Sequence, residues 1–170
     1  MSVSGSPLER IEVAIALGSN LGDREATLRS AVAALDALPL TDLRRVSRFH
    51  ETEPVGPPGQ GRYLNAAAIL ATGLPPRRLL EALLEIERQH GRVRTGLRNG
   101  PRTLDLDLTF YGDLVLSEGG LEVPHPRFAT RRFVLAPLAE IAPHWRHPVV
   151  GVSVDSLLRR LDEPAIAVPR

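Results

Sequence analysis

Two aspartates lie on one face of a short predicted strand. Residues 104–108 read Leu-Asp-Leu-Asp-Leu, and side chains two residues apart on a strand share a face, so Asp105 and Asp107 project together. Their Cα atoms are then roughly 6.5–7 Å apart. Neighbouring carboxylates repel each other and aspartate is disfavoured in strands, so something must compensate. Mg²⁺ binds one or two carboxylates together with substrate phosphates, and two such ions can clamp a transferring phosphoryl group. The pattern indicates magnesium-dependent phosphoryl transfer; the alternative is a solvated face that tolerates two acids.

A basic segment precedes this strand. Between residues 88 and 104 there is no acid, and there are five arginines: Arg88, Arg92, Arg94, Arg98 and Arg102. The planar guanidinium fork suits bidentate contacts with phosphate oxygens. A cationic loop beside a carboxylate pair is the arrangement expected for a magnesium–polyphosphate substrate. The alternative, a solvated basic loop, is the weaker interpretation next to the aspartates.

Four other residues could serve the same site. Glu87 lies on the apolar stripe of a predicted helix, where a carboxylate needs a partner unless it reaches solvent at the helix boundary. His125, in a proline-rich loop, can donate to a phosphate or shuttle a proton, although a lone loop histidine is more often simply exposed. Tyr63 and Asn65 share a strand face, as expected for stacking and hydrogen bonding of a flat heterocycle; core packing of Tyr63 is the alternative.

Composition excludes several kinds of chemistry. The 170 residues include 21 basic side chains, all arginine, and no cysteine. Without lysine there is no Walker-A phosphate loop and no Schiff base, and without cysteine there is no disulfide, thiolate nucleophile or cysteine-based zinc site. The net charge of +1 argues against nucleic acid or an anionic membrane as a partner. The apolar runs are too short to span a bilayer, and the first ten residues lack the apolar core of a signal peptide, so we expect a cytoplasmic protein.

The predicted elements must bring these residues together. Hydrophobic patterning predicts strands over 11–17, 43–50, 63–72 and 104–111, and helices over about 23–38, 75–91, 128–138 and 154–161. The order β-α-β-β-α-β predicts an α+β fold with a ferredoxin-like core, in which helices flank a mostly antiparallel central sheet. We expect one domain over 1–170, with its core at about 11–161 and loose termini at 1–9 and 162–170.

Several ordered motifs together resemble one family. Residues 98–108, RNGPRTLDLDL, are similar to the signature of the 6-hydroxymethyl-7,8-dihydropterin pyrophosphokinases of folate biosynthesis. The resemblance runs over roughly 13–161 and includes the segments 17–22, 63–67, 91–94, 123–126 and 131–133. It implies an α/β sandwich around a ferredoxin-like core. It also implies an enzyme that transfers pyrophosphate from ATP to the pterin hydroxymethyl group and releases AMP.

The resemblance also implies a role for each matching residue. Asp105 and Asp107 would hold two Mg²⁺ ions that bridge ATP and the pterin hydroxyl, and Arg92 and Arg102 would act on the phosphates from a mobile loop. The positions that match ATP contacts are Glu87, Arg94, Leu108, His125 and Arg131. The positions that match the pterin pocket are Thr52, Val55, Tyr63, Asn65 and Phe133, with Tyr63 and Phe133 as the stacking pair. The implied partners are ATP and a dihydropterin, with no nucleic acid or membrane, and the implied state is a monomer.

This chain departs from the family pattern at several positions. Thr109 stands where an apolar residue is usual after the second aspartate, and Glu53 replaces a proline at the pterin edge.

Two rival functions belong to other classes. A non-catalytic ATP- or RNA-binding ferredoxin-like module is disfavoured by the net charge of +1 and by the lack of an aromatic-rich strand motif. A magnesium-dependent nucleotidyltransferase could also use an Asp-x-Asp strand.

Overall fold

The computed structural model describes residues 9–53, 61–91 and 103–162. Four predicted site residues, Val55, Arg92, Arg94 and Arg102, lie outside the described residues, as do residues 98–102 of the signature. Of the predicted loose termini, 1–9 and 162–170, only Glu9 and Asp162 are described, and Asp162 is the last residue of a helix.

Five strands form the central sheet: β1 (Ile11–Ser19), β2 (Thr41–Val46), β3 (His50–Thr52), β4 (Tyr63–Thr72) and β5 (Asp105–Tyr111). The strand order is β2-β4-β1-β5, and β3 follows β2 along the same side of β4. All of these pairs are antiparallel. Two further strands, β6 (Leu116–Glu118) and β7 (Leu121–Val123), form a separate hairpin.

Helices cover both faces of this sheet: α1 (Arg24–Asp36), α2 (Pro76–Gln89), α3 (Arg132–Ile141) and α4 (Val154–Asp162). Asp23 caps α1, since its carboxylate accepts the Ala26 N–H at 3.1 Å. Pro76 begins α2, where its missing N–H costs nothing. The predicted fold class, an α+β fold with a mostly antiparallel sheet and flanking helices, is confirmed.

The sheet separates two hydrophobic cores. On one face, α1 and α2 pack against the strands through residues such as Leu28, Leu83 and Leu106, and this cluster is called the helical core. On the other face, the α3–α4 core contains Phe110, Phe128 and Leu135. Alternate residues of β1, β4 and β5 supply the two cores, as expected for a two-sided sheet.

Two predicted elements were wrong in part, and one element was not predicted. The single strand predicted over 43–50 is divided into β2 and β3, because Ser47 bonds Ala67 with its N–H (2.9 Å) and with its hydroxyl oxygen (2.9 Å), so a side chain replaces part of the ladder. The helix predicted over 128–138 is a 3₁₀ turn (Phe128–Thr130) followed by α3, with Arg131 in an extended conformation between them. The hairpin β6–β7, with positive φ at Gly119 and Gly120, was not predicted.

Within the described residues, no helix combines the length and the apolar character that crossing a membrane requires.

Candidate active site

A pocket opens on the α3 face of the sheet. Small residues of β1 form its floor, acids of β5 and polar residues of β3 and β4 form its sides, and the start of α3 closes it. The described residues that line it are Ala16, Leu17, Gly18, Thr52, Glu53, Tyr63, Asn65, Asp105, Asp107, Arg131, Phe133 and Val134.

Asp105 and Asp107 stand together at one side of this pocket. They pair with Gly18 and Ala16 of β1, whose small side chains leave the space above the strand open. Leu106 lies between them and is buried in the helical core on the opposite face. Strand alternation therefore separates the acids from the leucines, and both carboxylates reach the same cavity.

The segment between the two aspartates is held from outside the sheet. Glu87, at the end of α2, is only 3% exposed, and its Oε2 accepts the Leu106 N–H at 2.7 Å. Glu87 does not line the described pocket. It contacts the backbone of the aspartate pair from the side of the helical core.

A β-bulge follows the second aspartate. Ala14 pairs with Phe110 and Ile15 pairs with Leu108, which leaves Thr109 as an extra residue on β5. The extra residue shifts the alternation of β5 by one position. Phe110 therefore points into the α3–α4 core, on the same face of the sheet as Asp105 and Asp107. The carbonyl of Thr109 accepts the His125 N–H at 2.7 Å, so the bulge anchors the loop that carries His125.

His125 is a neutral hydrogen-bonding group. Burial, together with the positive charges of Arg131 and Arg127, lowers the pKa of its imidazole to about 4. Its Nδ1 accepts the Arg127 N–H at 3.1 Å, which leaves the single proton of the neutral ring on Nε2. At neutral pH, His125 can donate one hydrogen bond from Nε2.

Tyr63, Asn65 and Thr52 form a wall built on β3 and β4. The Asn65 Nδ2 donates to the Thr52 hydroxyl, which orients the amide. A Cβ on Gly18 would lie 2.9 Å from Asn65 Oδ1, so a glycine is required for the Asn65 amide to lie against β1, whereas the same Cβ would make an ordinary contact with the Tyr63 ring at 3.5 Å. The wall offers an aromatic ring beside an oriented amide.

Phe133 and Arg131 complete the opposite side at the start of α3. The Arg131 guanidinium lies 5.5 Å from the centroid of the Phe133 ring, in cation–π range. The positive end of the α3 macrodipole adds to the Arg131 charge, so this side of the pocket favours anions.

Glu140 connects α3, which forms one wall of the pocket, to the segment that leads into β3 in the other wall. From α3, it accepts the Arg48 N–H at 2.9 Å and also bonds the His50 side chain on β3. Both pocket walls are thereby linked through one carboxylate.

The donor set fits a magnesium ion shared with a substrate. In the described residues no group of three or more His, Cys, Asp or Glu side chains is placed to hold a metal. Two carboxylates side by side suit a hard cation whose remaining ligands are water and phosphate oxygens.

Most of the predicted site residues that the structure describes meet in this pocket: Thr52, Tyr63, Asn65, Asp105, Asp107, Arg131 and Phe133. Glu87, Leu108 and His125 do not line it, and the Leu108 side chain packs in the helical core. Sequence reasoning missed Ala16 and Gly18, although small residues two apart at the end of a buried strand are a visible signal.

Comparison with known proteins identifies the family. The model of the family described as 7,8-dihydro-6-hydroxymethylpterin-pyrophosphokinase (HPPK) matches residues 14–143. The chain belongs to this family. Its HPPK relatives include the 2-amino-4-hydroxy-6-hydroxymethyldihydropteridine pyrophosphokinase of Bacillus subtilis, 49% identical over 141 residues that cover 83% of this chain and 84% of the relative. Enzymes of the same name from Pseudomonas aeruginosa (46% over 136 residues, 80% and 83% covered) and Synechocystis (41% over 152 residues, 89% and 77% covered) also match.

Solved HPPK structures share the fold. Wild-type Plasmodium falciparum HPPK-DHPS with pterin and p-hydroxybenzoate matches with a TM-score of 0.71 at 12% identity, over 93% of this chain and 44% of that chain. The same protein with pteroate matches with a TM-score of 0.70 at 13% identity, over 89% and 42%. This chain thus spans less than half the length of these solved chains, and at such identities the likeness concerns the fold alone.

Proposed function

We propose that this HPPK-family chain transfers the β,γ-pyrophosphoryl group of ATP to the hydroxymethyl group of 6-hydroxymethyl-7,8-dihydropterin and releases AMP, as a step of folate biosynthesis. The family matches over residues 14–143, and the relatives named above carry the name of this pyrophosphokinase. One observation carries the proposal for the site. The acid pair Asp105 and Asp107 opens into the same pocket as the ring-and-amide wall of Tyr63 and Asn65.

The pterin occupies the end of the pocket between Tyr63 and Phe133. Two aromatic side chains on opposite sides suit a flat bicyclic ring, which they contact through its faces. The Asn65 carbonyl oxygen accepts from the ring edge, because its amide nitrogen already donates to Thr52. This arrangement directs the hydroxymethyl group toward the aspartates.

Asp105 and Asp107 hold Mg²⁺, which when bound neutralises the triphosphate charge and supports phosphoryl transfer. Two ions are proposed because the family resemblance implies them. Two contacts hold the backbone of this segment in place before substrate binds: the hydrogen bond from the Leu106 N–H to Glu87, and the pairing of β5 with β1.

The phosphates are bound from the cationic side. Arg131 and the N-terminus of α3 attract the anion, and neutral His125 donates from Nε2 without adding charge. Arg92, Arg94 and Arg102 are proposed phosphate ligands on sequence grounds, and they lie outside the described residues. The resemblance also implies nucleotide contacts at Glu87 and Leu108, neither of which lines the described pocket.

The reaction is a displacement at the β-phosphorus. The pterin hydroxyl oxygen forms a bond to that atom, the bond between the β-phosphorus and the bridging oxygen to the α-phosphorus breaks, and AMP leaves with that oxygen. The hydroxyl proton passes to a carboxylate oxygen of Asp105 or Asp107, because these are the bases nearest the acceptor end of the pocket. Positioning and charge neutralisation supply most of the acceleration.

The test identifies the nucleotide product. The protein is incubated with ATP, Mg²⁺ and 6-hydroxymethyl-7,8-dihydropterin, and nucleotides are separated by anion exchange. AMP in equal amount to the pterin diphosphate is expected. ADP as product, or nucleotide binding with no turnover, would contradict the proposal and favour a simple kinase or a binding module. The monomeric state and the cytoplasmic location stay predictions.

A further inference from the structure

We propose that Glu87 is a positioning residue for the aspartate pair, acting through the backbone of Leu106. The inference rests on the proposed function, in which Asp105 and Asp107 hold the metal. It starts from the position of Glu87, which is 3% exposed at the end of α2 and faces the helical core beside Leu83 and Ile86. A carboxylate buried this deeply costs stability unless strong hydrogen bonds compensate.

The Glu87 bond reaches the centre of the metal-binding segment. Oε2 accepts the Leu106 N–H at 2.7 Å, a length typical of a charge-assisted bond. Leu106 is the residue between the two aspartates. A contact at Leu106 therefore acts on both aspartates, because each is its immediate neighbour in the chain.

The edge position of β5 explains why such a bond is needed. Among the described residues, β5 is the last strand in the order β2-β4-β1-β5, and β1 pairs with it on one side. In an antiparallel ladder, alternate residues direct their N–H groups away from the neighbouring strand. The Leu106 N–H is directed outward to Glu87, so the carboxylate supplies the partner that a further strand would have supplied.

Glu87 and β1 therefore hold the segment from opposite sides. β1 sets the positions of Asp105 and Asp107 through their pairing with Gly18 and Ala16, and Glu87 stops the residue between them from moving outward. Metal ligands lose affinity and activity when such supporting contacts are removed, typically by about 10–100-fold. Glu87 does this from the side of the helical core, without lining the described pocket.

Two variants separate the bond from the charge. Glu87→Gln keeps an acceptor oxygen at about the same place and removes the charge, whereas Glu87→Met keeps the length and removes both. Glu85→Gln, on an exposed part of the same helix where Glu85 pairs with Arg88, is the matched control. Three quantities are measured: Mn²⁺ binding with a non-hydrolysable ATP analogue, analogue binding in EDTA, and kcat with KM.

We expect Glu87→Met to weaken Mn²⁺ binding and lower kcat by about 10–100-fold, with unchanged analogue affinity in EDTA. Glu87→Gln should stay within about threefold of the parent, because its amide oxygen can still accept the Leu106 N–H, and Glu85→Gln should match the parent. If analogue affinity in EDTA falls with activity, Glu87 is a nucleotide contact and the proposal is wrong. Equal losses in the Gln and Met variants would show that charge matters rather than the bond, which also overturns it.

Two further measurements keep the test decisive. If Glu87→Met does not fold, amide exchange of Leu106 in the parent chain decides: protection comparable to the paired residues of β5 is expected, and exchange at the rate of a free edge amide contradicts the proposal. Asp105→Asn tests the proposed function separately. If Asp105→Asn binds Mn²⁺ normally, the metal assignment itself fails; if it loses Mn²⁺ while Glu87→Met retains it, only the Glu87 inference fails.

Discussion

The two faces of the central sheet use the same strands for opposite purposes. On the α1–α2 face, large aliphatic side chains such as Ile15, Leu83 and Leu106 are buried in one cluster. On the α3 face, β1 presents Ala14, Ala16 and then Gly18. The aliphatic face stabilises the fold, and the face with small residues leaves a cavity where polar groups meet.

This difference predicts which substitutions cost stability and which cost activity. A buried aliphatic side chain contributes burial and packing, whereas two adjacent carboxylates repel each other and can together bind a cation. Neighbouring residues of β5 therefore have different roles: Leu106 packs in the core, whereas Asp105 and Asp107 line the pocket. The four predictions below test this separation.

The largest effect is expected for Asp105→Asn on the pocket face. Loss of one carboxylate from the proposed metal pair should lower kcat/KM by at least about 10³-fold, roughly 4 kcal/mol of transition-state stabilisation. The urea midpoint should stay the same or rise, because one of two repelling charges is gone. Steady-state kinetics and urea unfolding are measured on the same preparation. Asp113→Asn, in the exposed turn after β5, is the control and should change neither. Normal turnover in Asp105→Asn would contradict the metal assignment.

The opposite behaviour is expected for Leu83→Ala on the aliphatic face. Leu83 is fully buried, so its truncation should cost about 2–5 kcal/mol of unfolding free energy through lost burial and a cavity. Activity per folded molecule should be unchanged at a temperature where the variant is folded. Leu84→Ala, next in sequence but 40% exposed, should cost less than about 0.5 kcal/mol. If turnover of folded Leu83→Ala drops as far as in Asp105→Asn, the two faces are not separable.

A smaller effect is expected for Gly18→Ala, where the β1 backbone meets the wall formed by Tyr63 and Asn65. The added Cβ would come within 2.9 Å of Asn65 Oδ1, so the amide must move from its bonded position. We expect KM for the pterin to rise about 10-fold, close to 1.4 kcal/mol, with little change in KM for ATP. Gly73→Ala, whose Cβ would make only ordinary contacts at 3.4 Å and beyond, serves as the comparison. Equal pterin KM values in both variants would place the pterin elsewhere.

The smallest effect concerns acid stability and His125. Because the folded state holds the His125 pKa at about 4, below its ordinary value of 6.5, the unfolded chain binds more protons between these pH values. Stability contributed by His125 is therefore complete above pH 6.5 and declines as the pH falls toward 4. His125→Asn should flatten the dependence of the urea midpoint on pH in this window. An identical pH profile for the two proteins would show that His125 is not held neutral by the fold.

Much of the site could be predicted from local patterns. The alternation of residues 104–108 was sufficient to place the aspartates on one face and the leucines on the other, since strand geometry permits nothing else. The same reasoning paired Tyr63 with Asn65. Ala16 and Gly18 were missed because they contribute space rather than a reactive group, and their small size at alternate positions of β1 was read only as part of a buried strand.

Other features depended on contacts between distant segments. The bulge at Thr109 follows from the register of β1 against β5, and the neutral state of His125 follows from burial near Arg127 and Arg131. The strand predicted over 43–50 was divided because the Ser47 hydroxyl found a partner on β4. The strand partners of Thr109 and Ser47 are distant in sequence, and the burial of His125 is set by the fold although Arg127 and Arg131 are close to it in the chain, so no local pattern could have identified these features.

The sequence by itself determined which chemical groups are present: two aspartates on one strand face, arginines without any lysine, and an aromatic ring beside an amide. Residue type and the period of a strand were sufficient to identify each of them. Only the tertiary structure decided how these groups are held. Glu87 was visible as an acid on an apolar helix face, but its bond to Leu106 exists because α2 packs beside the edge strand. The physical reason is that residue type and spacing act over a few positions, whereas hydrogen-bond partners, burial and charge neighbours are set by segments that meet only in the folded chain.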